Sequence, residues 1–388
     1  MAREANKQSE LTHACNHSTV LCALRVHPCI LGFPATSLQA AAVSGCTPSQ
    51  TTAMANNIRH LARKAAAATA ITVTASCEKE DAPTLREWLE KDSFSAAFSQ
   101  GFGCEAASIG VALGLADGVG GPRALRRRLD GVSGASSGAK VAAVLAAPNC
   151  PLEAFEALVK HMRFRDALLD FDDLAIYEGG WARLSTFRKH FSALVGGRNI
   201  ESLDMLPFST TAFDLKSMRS DILKEGPLEL VCFASGAFPP LFPPVHIGSS
   251  LYTDVAFFTD ASGCRGLQTS PESRVLQVCH ADVPFNGPWV VESPSSLGVR
   301  EVCSVVLTGN TRVVPLPPGA RVRVAAALDG AREAVVAALD RPLERVAPGH
   351  YVCRVSPKKR VAGAVDALAL SALVAGAAGV VVGVLRRR

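Results

Sequence analysis

Hydrophobic and polar positions alternate by block along the chain rather than by residue. Short apolar runs at Leu228–Phe233 and Val275–Val278 read as buried strands. Longer runs at Ala139–Ala147, Leu152–Arg163 and Ala325–Leu339 carry the spacing of helices. The charged stretch 78–92 predicts a helix, with Thr84 as a cap before Leu85-Arg86-Glu87-Trp88. From Phe94 to Pro342 the two kinds of run interleave. That order predicts an α/β fold with a mostly parallel central sheet. No internal repeat is present. Pro239-Pro240 and Pro243-Pro244 mark a fixed, extended loop.

Both ends depart from this pattern. Between Leu11 and Cys77 there is no Asp or Glu, and Ala, Ser and Thr are abundant. An acid-poor, sparsely basic leader predicts a disordered extension acting as a transit peptide, for a plastid or mitochondrion. At the other end, Ala367–Leu385 is an uncharged run of 19 residues with Lys358, Lys359 and Arg360 before it and Arg386, Arg387 and Arg388 after. As a helix it would be about 28 Å long, close to the bilayer core. It predicts a C-terminal hydrophobic helix that attaches the protein to a membrane. Without the leader, the same tail would anchor a domain facing the cytosol. The expected division is therefore 1–92 as extension, 93–345 as the folded domain, and 346–388 as basic linker and membrane segment.

Charge follows the same division. The chain is +5 overall, but residues 1–77 hold six basic against two acidic residues, and 354–388 hold seven against one. The body between them is mildly acidic, which argues against nucleic acid as a partner; an acidic body with basic ends fits a soluble domain whose ends target it or contact a membrane surface, with lipid as the partner. The twelve cysteines include no C-x-x-C pair. That excludes zinc-finger and redox-motif spacing and predicts free thiols in a reducing compartment.

The candidate chemistry centres on Gly134-Ala135-Ser136-Ser137-Gly138. A strand candidate, Leu129–Ser133, precedes this G-x-S-x-G turn, and the Ala139–Ala147 helix follows it. That context is the one a nucleophile elbow needs. Ser136 sits where the chain reverses sharply, so its neighbours Gly134 and Gly138 must lack a Cβ. A developing oxyanion needs aimed donors. The turn Gly101-Phe102-Gly103, opening a small-residue helix from Cys104 to Val111, can supply backbone N–H groups. The base has two candidates. A Ser-His-Asp triad would draw on His280 or His350. A carboxylate acting directly would be Asp254, at the end of the segment Leu251–Ala256.

These blocks resemble the patatin-like phospholipases. The persuasive stretch is Leu230–Val245, which contains Ala234-Ser235-Gly236-Ala237-Phe238-Pro239 and runs on toward Asp254. Ser209–Leu215 resembles the family strand ending in T-x-x-D-l, and Gly319–Pro342 its closing helix. The resemblance spans about Phe94 to Pro342 and implies a three-layer patatin-like fold. It implies a lipid acyl hydrolase with a Ser136–Asp254 dyad, an oxyanion hole on Gly101, Phe102 and Gly103, no metal and no cofactor. The pattern is departed from in three ways. Gln100 and Phe102 replace glycines, Cys104 replaces a basic residue, and Asp254-Val255-Ala256 replaces Asp-Gly-Gly or Asp-Gly-Ala. The Val255 substitution predicts an altered loop, since a β-branched residue disfavours positive φ. The alternatives to the dyad enzyme are the triad esterase and an inactive, lipid-binding version of the fold. Phe238, Leu241, Phe242 and Phe257 flank the Asp254 segment as candidate walls of an acyl groove.

Overall fold

The computed structural model describes residues 82–357, apart from 102, 162–173, 179, 181, 203–205, 240, 256–261, 282–290 and 310–319. The leader and the 367–385 run lie outside the described residues. Among the described residues, no helix is long and apolar enough to cross a membrane.

Helix α1 (Leu85–Lys91) leads into β1 (Phe94–Phe98). Thr84 caps it reciprocally: its hydroxyl accepts from the Glu87 N–H, and the Glu87 carboxylate accepts from the Thr84 N–H at 2.8 Å. Then come α2 (Glu105–Gly118), α3 (Pro122–Arg127), β2 (Leu129–Ala135), α4 (Ser137–Ala146), α5 (Leu152–His161) and α6 (Ser185–Leu194). The next segment holds β3 (Phe208–Asp214), β4 (Arg219–Leu223), α7 (Leu228–Ser235), β5 (Val245–Ile247) and β6 (Ser250–Thr253). The last holds β7 (Arg274–His280), α8 (Pro294–Leu297), β8 (Glu301–Leu307), α9 (Ala320–Val336), β9 (Glu344–Ala347) and β10 (His350–Val355).

The strands make one sheet in the order β5-β6-β3-β2-β1-β7-β8-β10-β9, with β4 on β3. The run from β3 to β10 is parallel throughout, and the antiparallel strands sit toward its margins. Strands β1, β3 and β7 are buried along their whole length, as a sheet covered on both faces requires. The two-residue strand period sorts the core. Ala96, Phe98, Leu276, Val278, Cys303 and Val305 face the large cluster shared with α1, α2, α4 and α9. Ala97, Val275 and Val302 face a smaller cluster with Cys264 and Val299. Helices α2 and α9 approach closely enough that a Cβ on Gly110 would lie 2.1 Å from the Leu328 carbonyl oxygen.

The packed body extends past 93–345 at both ends. Leu85, Trp88 and Leu89 of α1 are core, and β10 pairs with β8 through Val355. One expected strand is a helix. Leu228–Phe233 forms most of α7, with Pro227 at its N-cap. The seven cysteines among the described residues are buried.

Candidate active site

Strand β2 ends at Ala135 and α4 begins at Ser137, so the whole reversal falls on Ser136. Its backbone takes φ 54° and ψ −117°. A residue with a Cβ held there carries strain on the order of 1–3 kcal/mol and persists only where its surroundings over-determine it. A Cβ on Gly134 would lie 2.4 Å from the Gly138 carbonyl, and one on Gly138 would lie 2.2 Å from the Phe98 carbonyl oxygen. The two glycines therefore let strand, turn and helix touch. The Ser136 N–H donates to Ser235 Oγ at 2.8 Å, and Ser235 Oγ donates to the Thr211 carbonyl at 2.7 Å.

Asp254 reaches this turn through a change of partner along β3. Strand β2 pairs with β3 only as far as Ala135↔Thr211. Strand β4 occupies the opposite edge of β3 through Asp214. Strand β6 takes the edge that β2 vacates, pairing antiparallel at Phe213↔Thr253 and Asp214↔Tyr252. Running back along β3, it delivers its next residue, Asp254, level with the nucleophile turn. Ser136 Oγ donates to Asp254 Oδ2 at 2.6 Å, with Asp254 only 2% exposed. The Asp254 N–H and the Thr253 hydroxyl both donate to the Ala237 carbonyl at 2.7 Å. Ser235–Ala237 is thus a strut that grips the nucleophile at one end and the carboxylate at the other. Above it, the Asp214 carboxylate accepts from the Lys216 N–H at 2.9 Å and the Leu251 N–H at 3.3 Å. Burial pushes the Asp214 carboxyl up, but the hydrogen bonds it accepts outweigh this and hold it below its ordinary range. Val255 is not among the positive-φ residues, so its β-branch is accommodated without that strain.

The proposed donor turn stands beside the elbow. The Gly101 carbonyl accepts from the Cys104 N–H at 2.9 Å and from Ser137 Oγ at 3.0 Å, and Gly103 takes φ 73°. The Ser137 bond joins this turn to the first residue of α4. Phe102 lies outside the described residues.

Neither triad histidine is placed against Ser136. His280 ends β7, two strands from β2, and its Nε2 lies 2.8 Å from Ser108 Oγ on α2. It packs behind the donor turn, with Cδ2 3.2 Å from where a Gly101 Cβ would stand. Burial lowers its pKa to about 4, so the ring is neutral at ordinary pH. His350 opens β10, paired with Val302 near the start of β8, at the opposite end of the strands from the elbow.

The aromatic groove is also only partly as expected. Phe238 and Leu241 are buried core, and Phe257 lies outside the described residues. Phe242 is half-buried and lines a cavity of about 220 Å³ with Leu230, Phe233, Pro243 and Arg188. Two functional candidates escaped the sequence reading. Ser235 lay inside the quoted Ala234–Pro239 block without a role. Lys140 is the single charge in the apolar Ala139–Ala147 run, and it is only 8% exposed.

Residues 99–260 match the model of the Patatin-like phospholipase family. Over that segment the chain is similar to the family. The family is one of lipid acyl hydrolases. No curated protein matches the chain. Among solved structures, VipD from Legionella pneumophila is similar at 12% identity, covering 64% of this chain and 67% of that one, with a TM-score of 0.34. ExoU from Pseudomonas aeruginosa, solved with SpcU from the type III secretion system, is 16% identical, with a TM-score of 0.36. That match covers 64% of this chain, which spans about half of the ExoU chain, 52%. The elbow, the strut and Asp254 all fall inside the matched segment.

Proposed function

We propose that this patatin-like domain hydrolyses fatty-acyl esters of membrane lipids through Ser136 and Asp254. Ser136 Oγ attacks the ester carbonyl carbon while its proton passes to Asp254 Oδ2. The carbonyl oxygen becomes an oxyanion, received by the backbone N–H groups of Gly101, Phe102 and Gly103. The C–O bond to the glycerol side breaks, and the departing oxygen takes the proton from Asp254. Water, deprotonated by the same carboxylate, then cleaves the acyl-serine and restores the dyad. The observation that carries this reading is the 2.6 Å hydrogen bond from a strained elbow serine to a buried carboxylate.

The test is fluorophosphonate labelling beside acyl-ester hydrolysis. Wild type should label and hydrolyse, and Ser136→Ala should do neither. Wild-type protein that stays unlabelled points to the inactive, lipid-binding version of the fold. The same reading keeps 367–385 as the bilayer attachment and the acid-poor leader as an organelle address. A chain ending before Val361 should leave the carbonate-washed membrane fraction, and a chain lacking residues 1–77 should lose its organelle distribution. Retention of either property overturns that assignment.

A further inference from the structure

Strands β3 and β4 form a hairpin whose turn, residues 215–218, lies at the end of the parallel strands that carries Ser136. Strand β2 stops pairing at Thr211, and β3 runs on to Asp214. At about 3.3 Å per residue, the turn starts about 10 Å beyond the level of the elbow. Lys216, Ser217, Met218 and Arg219 are all exposed. The Asp214 carboxylate pins this tip from within. It accepts from the Lys216 N–H at 2.9 Å, and from the Ser250 hydroxyl at 3.1 Å and the Leu251 N–H at 3.3 Å in the neighbouring β5–β6 hairpin. The Lys216 ammonium donates to the Ser249 carbonyl in the turn of that hairpin.

A methionine is a costly choice for such a tip. Met218 is held at φ 56°, where a side chain with a Cβ is strained, and it is 45% exposed, so packing does not repay the strain. Glycine or asparagine would suit that backbone and leave no apolar surface in water. Ile222, opposite Thr211 at the level of the elbow, is 48% exposed. Five large apolar side chains are exposed among the described residues, and this hairpin holds two of them. A third, Val322, stands at the same end of the sheet. Helix α9 runs beside α2 in the same direction, Leu328 against Gly110 and Leu339 against Gly118, which puts Val322 at the donor-turn end. The exposed charges flanking Met218 are both positive, Lys216 and Arg219, while Asp214 is buried and Asp221 accepts from the Tyr252 hydroxyl at 3.1 Å.

We propose that the tip of the β3–β4 hairpin docks on an anionic lipid bilayer, with Met218 entering the interface and Lys216 and Arg219 meeting the headgroups. This rests on the lipid-hydrolase reading above, which gives the contact its purpose. An apolar side chain between two cations matches the order of a bilayer surface, negative headgroups over hydrocarbon. The tip is rigid and stands beyond the elbow, so its contact turns the carboxyl-terminal end of the sheet, and Ser136 with it, toward the lipid. The strain at Met218 is then kept because the residue at that left-handed position has to be apolar. The 367–385 run would tether the chain to a membrane, whereas the hairpin would set the direction in which the domain faces it.

The experiment uses the full chain in vesicles of phosphatidylcholine, with and without phosphatidylserine. Met218→Trp is placed in a Ser136→Ala background, so that no lipid is consumed. With brominated acyl chains in the phosphatidylserine vesicles, the emission added by Met218→Trp should be largely quenched. Val336→Trp, at the far end of α9, should keep its emission, which separates contact at the hairpin from tethering by the tail. In the active chain the readout is turnover on vesicles divided by turnover on a water-soluble short-chain ester. Met218→Asn, which suits the turn, should lower that ratio several-fold and raise the Tm. Arg219→Glu should remove the dependence of the ratio on phosphatidylserine. Unquenched emission from Met218→Trp overturns the inference, and so does a wild-type ratio in Met218→Asn. Wild type that neither labels with fluorophosphonate nor hydrolyses either ester removes the hydrolase reading, and the quenching then decides the bilayer contact by itself.

Discussion

The two ends of the parallel strands both bury charge, and they treat it differently. At the amino-terminal end Arg274 is 1% exposed and fully engaged. It bonds Glu301 at 2.9 Å, the Trp88 carbonyl at 2.6 Å and the Asp92 carbonyl at 3.0 Å, with its guanidinium 3.9 Å from the centre of the Trp88 ring. At the carboxyl-terminal end, Ser136 is held at a costly φ, Lys140 is loosely paired, and one ring nitrogen of His280 has no partner. Arg274 pins the first end, although the buried Trp88 Nε1 and His350 Nε2 there have no hydrogen-bond partner either. Backbone strain at Ser136 is what sets the second end apart, and the proposed reaction would be the reason to retain it at the expense of stability.

Substitutions can break that contrast. The largest effect belongs to the dyad: Ser136→Ala or Asp254→Asn should lower acyl-ester turnover at least about a thousandfold, measured at saturating substrate. Comparable activity in either variant would remove the dyad. Next comes the other end. Arg274→Met leaves the half-buried Glu301 with only Lys91, 3.5 Å away, as ion partner and strips the Trp88 and Asp92 carbonyls of their donor, and should cost about 3 kcal/mol in chemical denaturation. Turnover per labelled serine should stay at the wild-type value, and a fall in turnover without loss of stability would erase the distinction between the ends.

His280 gives a pH-dependent effect. Its folded pKa of about 4 lies below the unfolded value of 6.5, so the unfolded chain binds the proton first as pH falls. Above 6.5 the ring costs nothing. Between 6.5 and 4 stability drains away, by on the order of 3 kcal/mol at the lower limit. His280→Asn should flatten that slope in denaturation curves taken at pH 7 and pH 4.5. An unchanged slope assigns the acid sensitivity elsewhere. The smallest effect is local. Thr84→Ala removes the α1 cap and should cost about 1 kcal/mol with no change in turnover per labelled serine.

How far the molecule can be read from its residues differs between these parts. The elbow was legible because G-x-S-x-G states a steric requirement, and Gly134 and Gly138 meet that requirement at 2.4 and 2.2 Å. Alternation of strand and helix gave the α/β class, and Val275–Val278 is indeed within β7. Leu228–Phe233 misled because a short, all-apolar run has no period to separate strand from helix. Pro227 and Glu229 at its start were the helix signals to weigh. The segment Leu251–Ala256 offered Asp254 as one of two kinds of base, and only the resemblance preferred it to a histidine, since no local pattern links it to a residue 118 positions earlier. Lys140 was passed over because a lysine on a helix ordinarily faces solvent, and only the packing of α7 and the strut against α4 encloses it.

That separation of 118 residues also sets a schedule. The nucleophile belongs to the first half of the domain and the carboxylate to a strand that can pair only after β3 is in place. At typical synthesis rates of 5–20 residues per second, Ser136 leaves the ribosome roughly 6–24 s before Asp254 does. Through that interval the nascent chain has an elbow serine without the carboxylate it bonds. On the proposed dyad, a hydrolase assembled in this order stays inert toward the membranes around its birthplace until β6 has paired with β3.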